Sequence, residues 1–134
     1  MAERFQLRVV TPRAAVVDAA VEEATGPGTL GEFGVLPNHA AFLTSLEIGC
    51  FSYTIDGRLQ HMAVREGIAE VADNVMTVVV DAAQPAEVIN TVTAEADLRK
   101  ALDGLQDLSP FDPAYAGLDA ERRWAETRLE VAKR

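Results

Sequence analysis

The side chains best suited to catalysis or metal binding in this 134-residue chain are two histidines, one cysteine and a scatter of carboxylates. His39 and His61 are too few for a multi-histidine metal centre, which draws three or four ligands together. Cys50 lies between Gly49 and Phe51, with no adjacent cation to favour a thiolate, and a single cysteine leaves no internal disulfide. It reads as a small buried hydrophobe. Glu66 and Glu70 are the carboxylate pair a small hydrolase would use, but acid–base chemistry needs groups converging in a cleft, and nothing in the spacing specifies one. Gly31 and Gly34 lie in a turn-rich stretch without the Gly-x-x-x-x-Gly-Lys pattern of a phosphate loop. The expectation is therefore no catalytic residue, no metal and no cofactor.

Charge narrows the partners. Twelve basic against twenty-one acidic residues leave −9, and no run of cations could neutralise a nucleic-acid backbone. No window supplies the roughly 18 apolar residues of a spanning helix, and Met1 to Phe5 carry no apolar signal core, so direct membrane insertion is not expected. Divided at residue 84, the chain has five basic and eleven acidic residues before the boundary and seven and ten after it. Five of those seven cations, Arg122, Arg123, Arg128, Lys133 and Arg134, fall on the last predicted helix. A solvated helical face accounts for them, and so does an acidic or phosphate-bearing partner.

The elements that must position these groups come in two grammars. From Phe5 to about Ala83 apolar residues alternate in period two with frequent turn signals, the pattern of an all-β sandwich or barrel. Phe5, Leu7 and Val9 open it, and Val16, Val17 and Val21 follow the Pro12 break. Gly26-Pro27-Gly28 reads as a turn. Asp56-Gly57 between two alternating runs predicts a type I′ hairpin, whose central residues both need positive φ, and Asp73-Asn74 starts another turn. Met76 to Val80, apolar throughout, predicts a strand buried on both faces or paired in mid-sheet. After Gln84-Pro85 the period becomes 3.6. A helix over Thr91–Leu108 presents Ala94, Leu98, Ala101, Leu102, Leu105 and Leu108; Asp112-Pro113 supplies an N-cap and first-turn proline for a second helix striped by Ala114, Leu118, Ala125, Leu129 and Ala132. The two form an antiparallel hairpin. The division expected is residues 1–84 for the β-domain and 85–134 for the hairpin, whose alanine-rich stripes bury too little to make it stable alone.

One stretch carries more. Leu30 to Gly49 includes Gly31-Glu32-Phe33-Gly34-Val35-Leu36-Pro37-Asn38-His39-Ala40-Ala41, where turn formers leave apolar side chains on display, as contact loops do. It resembles the Gly-Glu-hydrophobic-Gly-hydrophobic-hydrophobic-Pro-x-His-Ala signature of the epsilon chains of F-type ATP synthases. The resemblance continues through Arg65 to Val71, Asn74 to Ala83 and Arg128 to Ala132, and covers essentially the whole chain. It implies an N-terminal β-sandwich and a non-catalytic rotor subunit that links the gamma subunit to the c-ring, at the cytoplasmic face of a bacterial inner membrane, as a peripheral protein. It further implies that Glu32, Phe33, Gly34, Val35, Leu36, Pro37 and His39 form the ring- and gamma-facing loop. The C-terminal hairpin would rise into the alpha/beta catalytic head to resist ATP hydrolysis, with Arg122, Arg123 and Arg128 as its contacts.

Two departures qualify the carry-over. Family members that sense ATP open the first helix with hydrophobic-Asp-x-x-Arg-Ala; here Ile89-Asn90-Thr91-Val92-Thr93-Ala94 has Asn90 for the carboxylate and Thr93 for the arginine. Trp124 stands one turn before the basic Arg128. Weak or absent ATP binding is expected. The Ser-Gly-Gly usual before the penultimate strand is Arg65-Glu66-Gly67. A carbohydrate- or peptide-binding sandwich with an appended hairpin is the alternative to the rotor reading.

Overall fold

The computed structural model describes residues 3–134. Eight strands, β1 (Phe5–Val10), β2 (Ala15–Val21), β3 (Glu23–Gly28), β4 (Gly31–Val35), β5 (Phe42–Leu46), β6 (Gly49–Ile55), β7 (Arg58–Ala72) and β8 (Val75–Pro85), precede a 3-10 turn at Ala86–Val88 and two helices, α1 (Thr91–Leu105) and α2 (Tyr115–Ala132). The fold is a β-sandwich followed by a helical hairpin. All strand pairs are antiparallel except β1 with β8.

The two longest strands fold the sheet over on itself. The first half of β7 pairs with β6 and the second with β5, while β8 follows it along nearly its whole length. Met62 and Val64 point into the core and Ala63 away from it; beyond the bend, Ala69 and Val71 point in and Ile68 and Glu70 out. The alternation changes phase at Arg65–Gly67. A Cβ on Gly67 would lie 1.9 Å from the Val79 carbonyl oxygen, so only glycine fits where the strands press together. Of the altered Arg65-Glu66-Gly67 triplet, this glycine is the one the geometry requires.

The core is built from alternate residues of both layers, with Phe51, Leu7, Met62, Met76 and Val78 among its fully buried members. Asp56 and Gly57 have φ of 51° and 76°, as the type I′ hairpin requires, and Asp73 and Asn74 repeat the arrangement at 51° and 62°. Met76, Val78 and Val80 are buried, but Val79 is 46% exposed, so β8 is a mid-sheet strand with one open face rather than one buried on both.

Two local expectations need correction. Gly26-Pro27-Gly28 is not a turn but the end of β3, paired with β4. The Phe33 ring lies over Gly26, where a Cβ would sit 2.9 Å from Phe33 Cζ; a Cβ on Gly28 would meet the Gly31 carbonyl oxygen first, at 2.7 Å, and then Phe33 Cδ1, at 3.1 Å. Gly26 makes room for the ring, and Gly28 for the backbone of its strand partner Gly31 as well as for the ring. In the hairpin, α1 ends at Leu105 and α2 begins at Tyr115. Asp112 still caps locally, its Oδ1 accepting from the Ala114 amide at 2.9 Å, but it closes a turn ahead of the helix. Asn90 is the side-chain cap of α1, accepting from the Thr93 amide.

Helix α2 has two working faces where the alanine and leucine stripe predicts one. Leu118 lies over Gly104 of α1, while Trp124 and Val131 are buried with Ile48 and Ala63 on the outer surface of the β6–β7 layer, beside Cys50, Ala82 and Ile89. Cys50 is half-buried in this seam. The hairpin is attached to the sandwich chiefly through α2.

Candidate functional site

The loop between β4 and β5 is held from three sides. Phe33 meets Phe42 edge to face at 5.4 Å between centroids, and the His39 ring leans on the other side of Phe42 at 5.1 Å. His39 Nδ1–H donates to the Ala40 carbonyl at 2.7 Å, and its amide donates to the Leu36 carbonyl at 3.2 Å. Asn38 sits at φ 64°, and its amide donates to Asn74 Oδ1 at 2.7 Å, while Asn74 Nδ2 donates to the Arg4 carbonyl at 2.9 Å. Asn74 thus pins Pro37 to His39 against the β7–β8 turn and the start of β1.

This geometry sorts the expected contact residues. Glu32, Gly34, Leu36 and His39 are exposed, and Phe33 and Pro37 are half-buried. Val35, expected as an apolar contact, is 1% exposed and belongs to the core; its inward side chain anchors the strand that ends at Leu36. The loop's apolar display is instead Leu36 with Leu30, which is 98% exposed at the tip of the β3–β4 hairpin. Leu30 had the same signal as Leu36, an apolar residue among turn formers. Asn74 had none, because a turn residue does not advertise what its side chain reaches.

A second surface lies on the outer face of the other layer. Ser45, Ile68, Val79 and Val10 fall in one row across β5, β7, β8 and β1. Leu43 stands in the next row with Glu70, Thr77 and Arg8. Leu43, Ile68 and Val79 are all substantially exposed, and Glu66, Glu70 and Asp81 edge them. Glu66 and Glu70 therefore flank Ile68 on an open sheet rather than line a cleft, which removes the arrangement a hydrolase would need. Among the described residues no three His, Cys, Asp or Glu gather as a metal site would require. A concavity of about 500 Å³ runs along Val92, Glu95, Arg99 and Asp103, all on α1, so it is an open helix face rather than an enclosure.

The hairpin's cations are largely satisfied within the hairpin. Arg122 donates to Asp119 at 2.7 Å and to Glu126 at 2.5 Å, and each bond raises its pKa, the Asp119 bond most. Arg123 lies 3.7 Å from Asp119, and Arg134 donates to Glu130 at 2.8 Å. Arg128 is buried: its Nη2 donates to Asp97 of α1 at 3.0 Å, and its guanidinium lies 5.3 Å from the centre of the Trp124 ring. In this conformation Arg123 is exposed and Arg122 half-buried in its ion pairs, whereas Arg128 is buried and cannot meet a partner. Asn90 Oδ1 is engaged in capping α1, accepting from the Thr93 amide at 3.1 Å.

At the far end of the α2 seam, Ser52 Oγ and His61 Nδ1 are 2.8 Å apart, with Cys50 Sγ 3.9 Å from the same nitrogen. Burial, then the nearby Arg134 charge, lowers the His61 pKa. No helix among the described residues is long and apolar enough to cross a membrane.

Residues 4–86 match the family model described as the ATP synthase delta/epsilon chain, beta-sandwich domain. The ATP synthase epsilon chain of Geotalea uraniireducens is 44% identical over 132 residues, 98% of this chain and 96% of its own length. That of Geobacter sulfurreducens is 42% identical over the same shares. In solved structures, a chain of the Euglena gracilis mitochondrial ATP synthase (OSCP/F1/c-ring) aligns with a TM-score of 0.80 at 22% identity, over 98% of this chain and 82% of that one. A chain of the Tetrahymena thermophila mitochondrial ATP synthase central stalk and c-ring gives 0.68 at 14% identity, over 98% of each. These two likenesses concern the fold.

Proposed function

The chain belongs to the epsilon-chain family of ATP synthases, and from that premise we propose how its surfaces divide the work of a non-catalytic rotor subunit. The observation that carries the reading is the full-length match to epsilon chains combined with two open surfaces and one covered one. The uncovered sheet face around Leu43, Ile68 and Val79 packs on the gamma subunit. The pinned loop, with Glu32, Leu36 and His39 and the neighbouring Leu30, meets the polar loops of the c-ring. The third surface, outside the β6–β7 layer, is taken by the chain's own hairpin.

Coupling needs rigidity. A subunit that transmits rotation between gamma and the ring must not yield at its contacts, and both surfaces sit on paired backbone or a loop bonded on three sides. The subunit is then a peripheral part of a membrane complex, on the cytoplasmic face of a bacterial inner membrane, a reading supported by its likeness to the epsilon chains of bacteria. Co-expression with gamma tests the reading: a stoichiometric complex is expected, and two separately eluting proteins would remove it.

The unit from about residue 85 onward acts as a brake on ATP hydrolysis when raised into the alpha/beta head, where Arg122 and Arg123 are its available cations. Truncation after Ala86 then raises hydrolysis by the assembled enzyme. Unchanged hydrolysis would mean that the hairpin does not inhibit.

A further inference from the structure

The contact between hairpin and sandwich is small and uneven. Its apolar part comprises four buried residues, Ile48 and Ala63 below and Trp124 and Val131 above. Among the described residues one ion pair crosses it, Arg65 to Glu121, Nη2 to Oε1 at 2.8 Å, with the Arg65 side chain 22% exposed and that of Glu121 50%. Arg65 stands at the bend of β7, on the same outward side as Ala63, and Glu121 stands one turn ahead of Trp124 on α2. The pair fastens the helix beside Ala120, which packs on the edge of the apolar cluster. Helix α1 is held through α2, across the Arg128–Asp97 bond.

We infer that Arg65 and Glu121 form an ionic latch that sets how much of the time the hairpin lies docked on the sandwich. This rests on the reading of the hairpin as a separable unit. Partly exposed pairs of this kind shift an equilibrium by about 0.2–1 kcal/mol and weaken as salt screens them. That is small against the stability of a fold but large for a docking equilibrium poised near balance. The latch makes docking sensitive to ionic strength and to any anion or cation competing for either side chain. The same two residues leave the sandwich core and both open surfaces untouched, so the latch can be varied without disturbing the sandwich's own contacts.

The chain carries its own reporters. Trp124 is its single tryptophan and Cys50 its single cysteine, and both lie in the seam. In the full-length protein, Arg65→Glu and Glu121→Arg should each raise acrylamide quenching of Trp124 and the rate at which an aromatic disulfide reagent modifies Cys50, by about two- to fivefold at low salt. The double variant R65E/E121R should return both towards wild type, and about 0.5 M salt should bring the wild type close to the single variants. Glu121→Gln, on the outside of a helix, repeats the measurement with no reversed charge to disturb folding. If the single variants match wild type while mild urea exposes Trp124 before the sandwich unfolds, the hairpin separates but the latch is wrong. If Trp124 and Cys50 become accessible in every variant only as the whole chain unfolds, the separable hairpin itself is wrong, and the latch with it.

Discussion

Arg128 of α2 donates to Asp97 of α1 at 3.0 Å while its guanidinium lies against Trp124. One side chain therefore joins the two helices to each other and touches the residue that joins them to the sandwich. Its Nε also donates to the Trp124 carbonyl at 3.4 Å, so the buried cation is met on several sides. A buried charge is tolerable only with such partners.

Removing the carboxylate should loosen the hairpin from within. Asp97→Ala leaves Arg128 buried without its anion, at a cost of about 1–3 kcal/mol to the pairing of α1 with α2. Urea titration followed by helical circular dichroism should show the helical signal lost earlier, with the β-sheet transition unmoved. A single unshifted transition would show that the pair contributes nothing.

The same arrangement bears on nucleotide binding. With Asn90 capping α1, Trp124 in the seam and Arg128 committed to Asp97, the positions where a sensing hairpin would hold its carboxylate and guanidiniums leave none free for ATP. Each charge-assisted hydrogen bond forgone is worth about 1.5–3 kcal/mol. Isothermal titration of the isolated chain should show no sub-millimolar affinity, and a measurable isotherm in that range would contradict this.

The loop should depend on Asn74. Asn74→Gly keeps the left-handed backbone available but deletes both bonds of the side chain, at about 1–2 kcal/mol of local stability. Amide exchange at His39, whose N–H is bonded to Leu36, should accelerate while the core strands stay protected. Unchanged exchange at His39 would mean that the aromatic contacts with Phe42 suffice.

Docking should also weaken in mild acid. His61 has a lowered pKa in the folded chain, from burial first and Arg134 second. His61 takes up a proton more readily when the seam is open, so docking is unaffected well above pH 6.5 and is progressively weakened as pH falls from about 6.5 toward the lowered value. Trp124 quenching should therefore rise over that window, and His61→Gln should flatten the response. A rise of equal size in the variant would assign it to other groups.

Much of the architecture is legible in the residues. The Asp56-Gly57 turn, the alternating strands and the change of period after Pro85 all reflect local rules, and local rules suffice for them. What escapes is set by neighbours distant in sequence. Gly26 and Gly28 look like turn formers because nothing nearby shows that the Phe33 ring and the Gly31 backbone need their space. Trp124 and Val131 escape a stripe drawn through alanines and leucines because the helix has a second face, visible only once the β6–β7 layer lies beneath it. Arg128, a surface cation by type, is buried because Asp97 and Trp124 meet it. The contact loop is readable as a segment, but its division into displayed Leu36 and buried Val35 is not, since a short strand end can place either side chain inward.

The central claim is that the uncovered sheet face holds gamma. Binding of purified gamma to the wild-type chain and to Ile68→Glu and Leu59→Glu variants tests it most directly, since both positions are exposed and neither is in the core. Ile68→Glu should weaken the complex by at least about tenfold, as expected where an apolar anchor is replaced by a charge among Glu66, Glu70 and Asp81. Leu59→Glu, at the β6–β7 turn, should leave it unchanged. Equal affinity for Ile68→Glu and wild type would contradict the account.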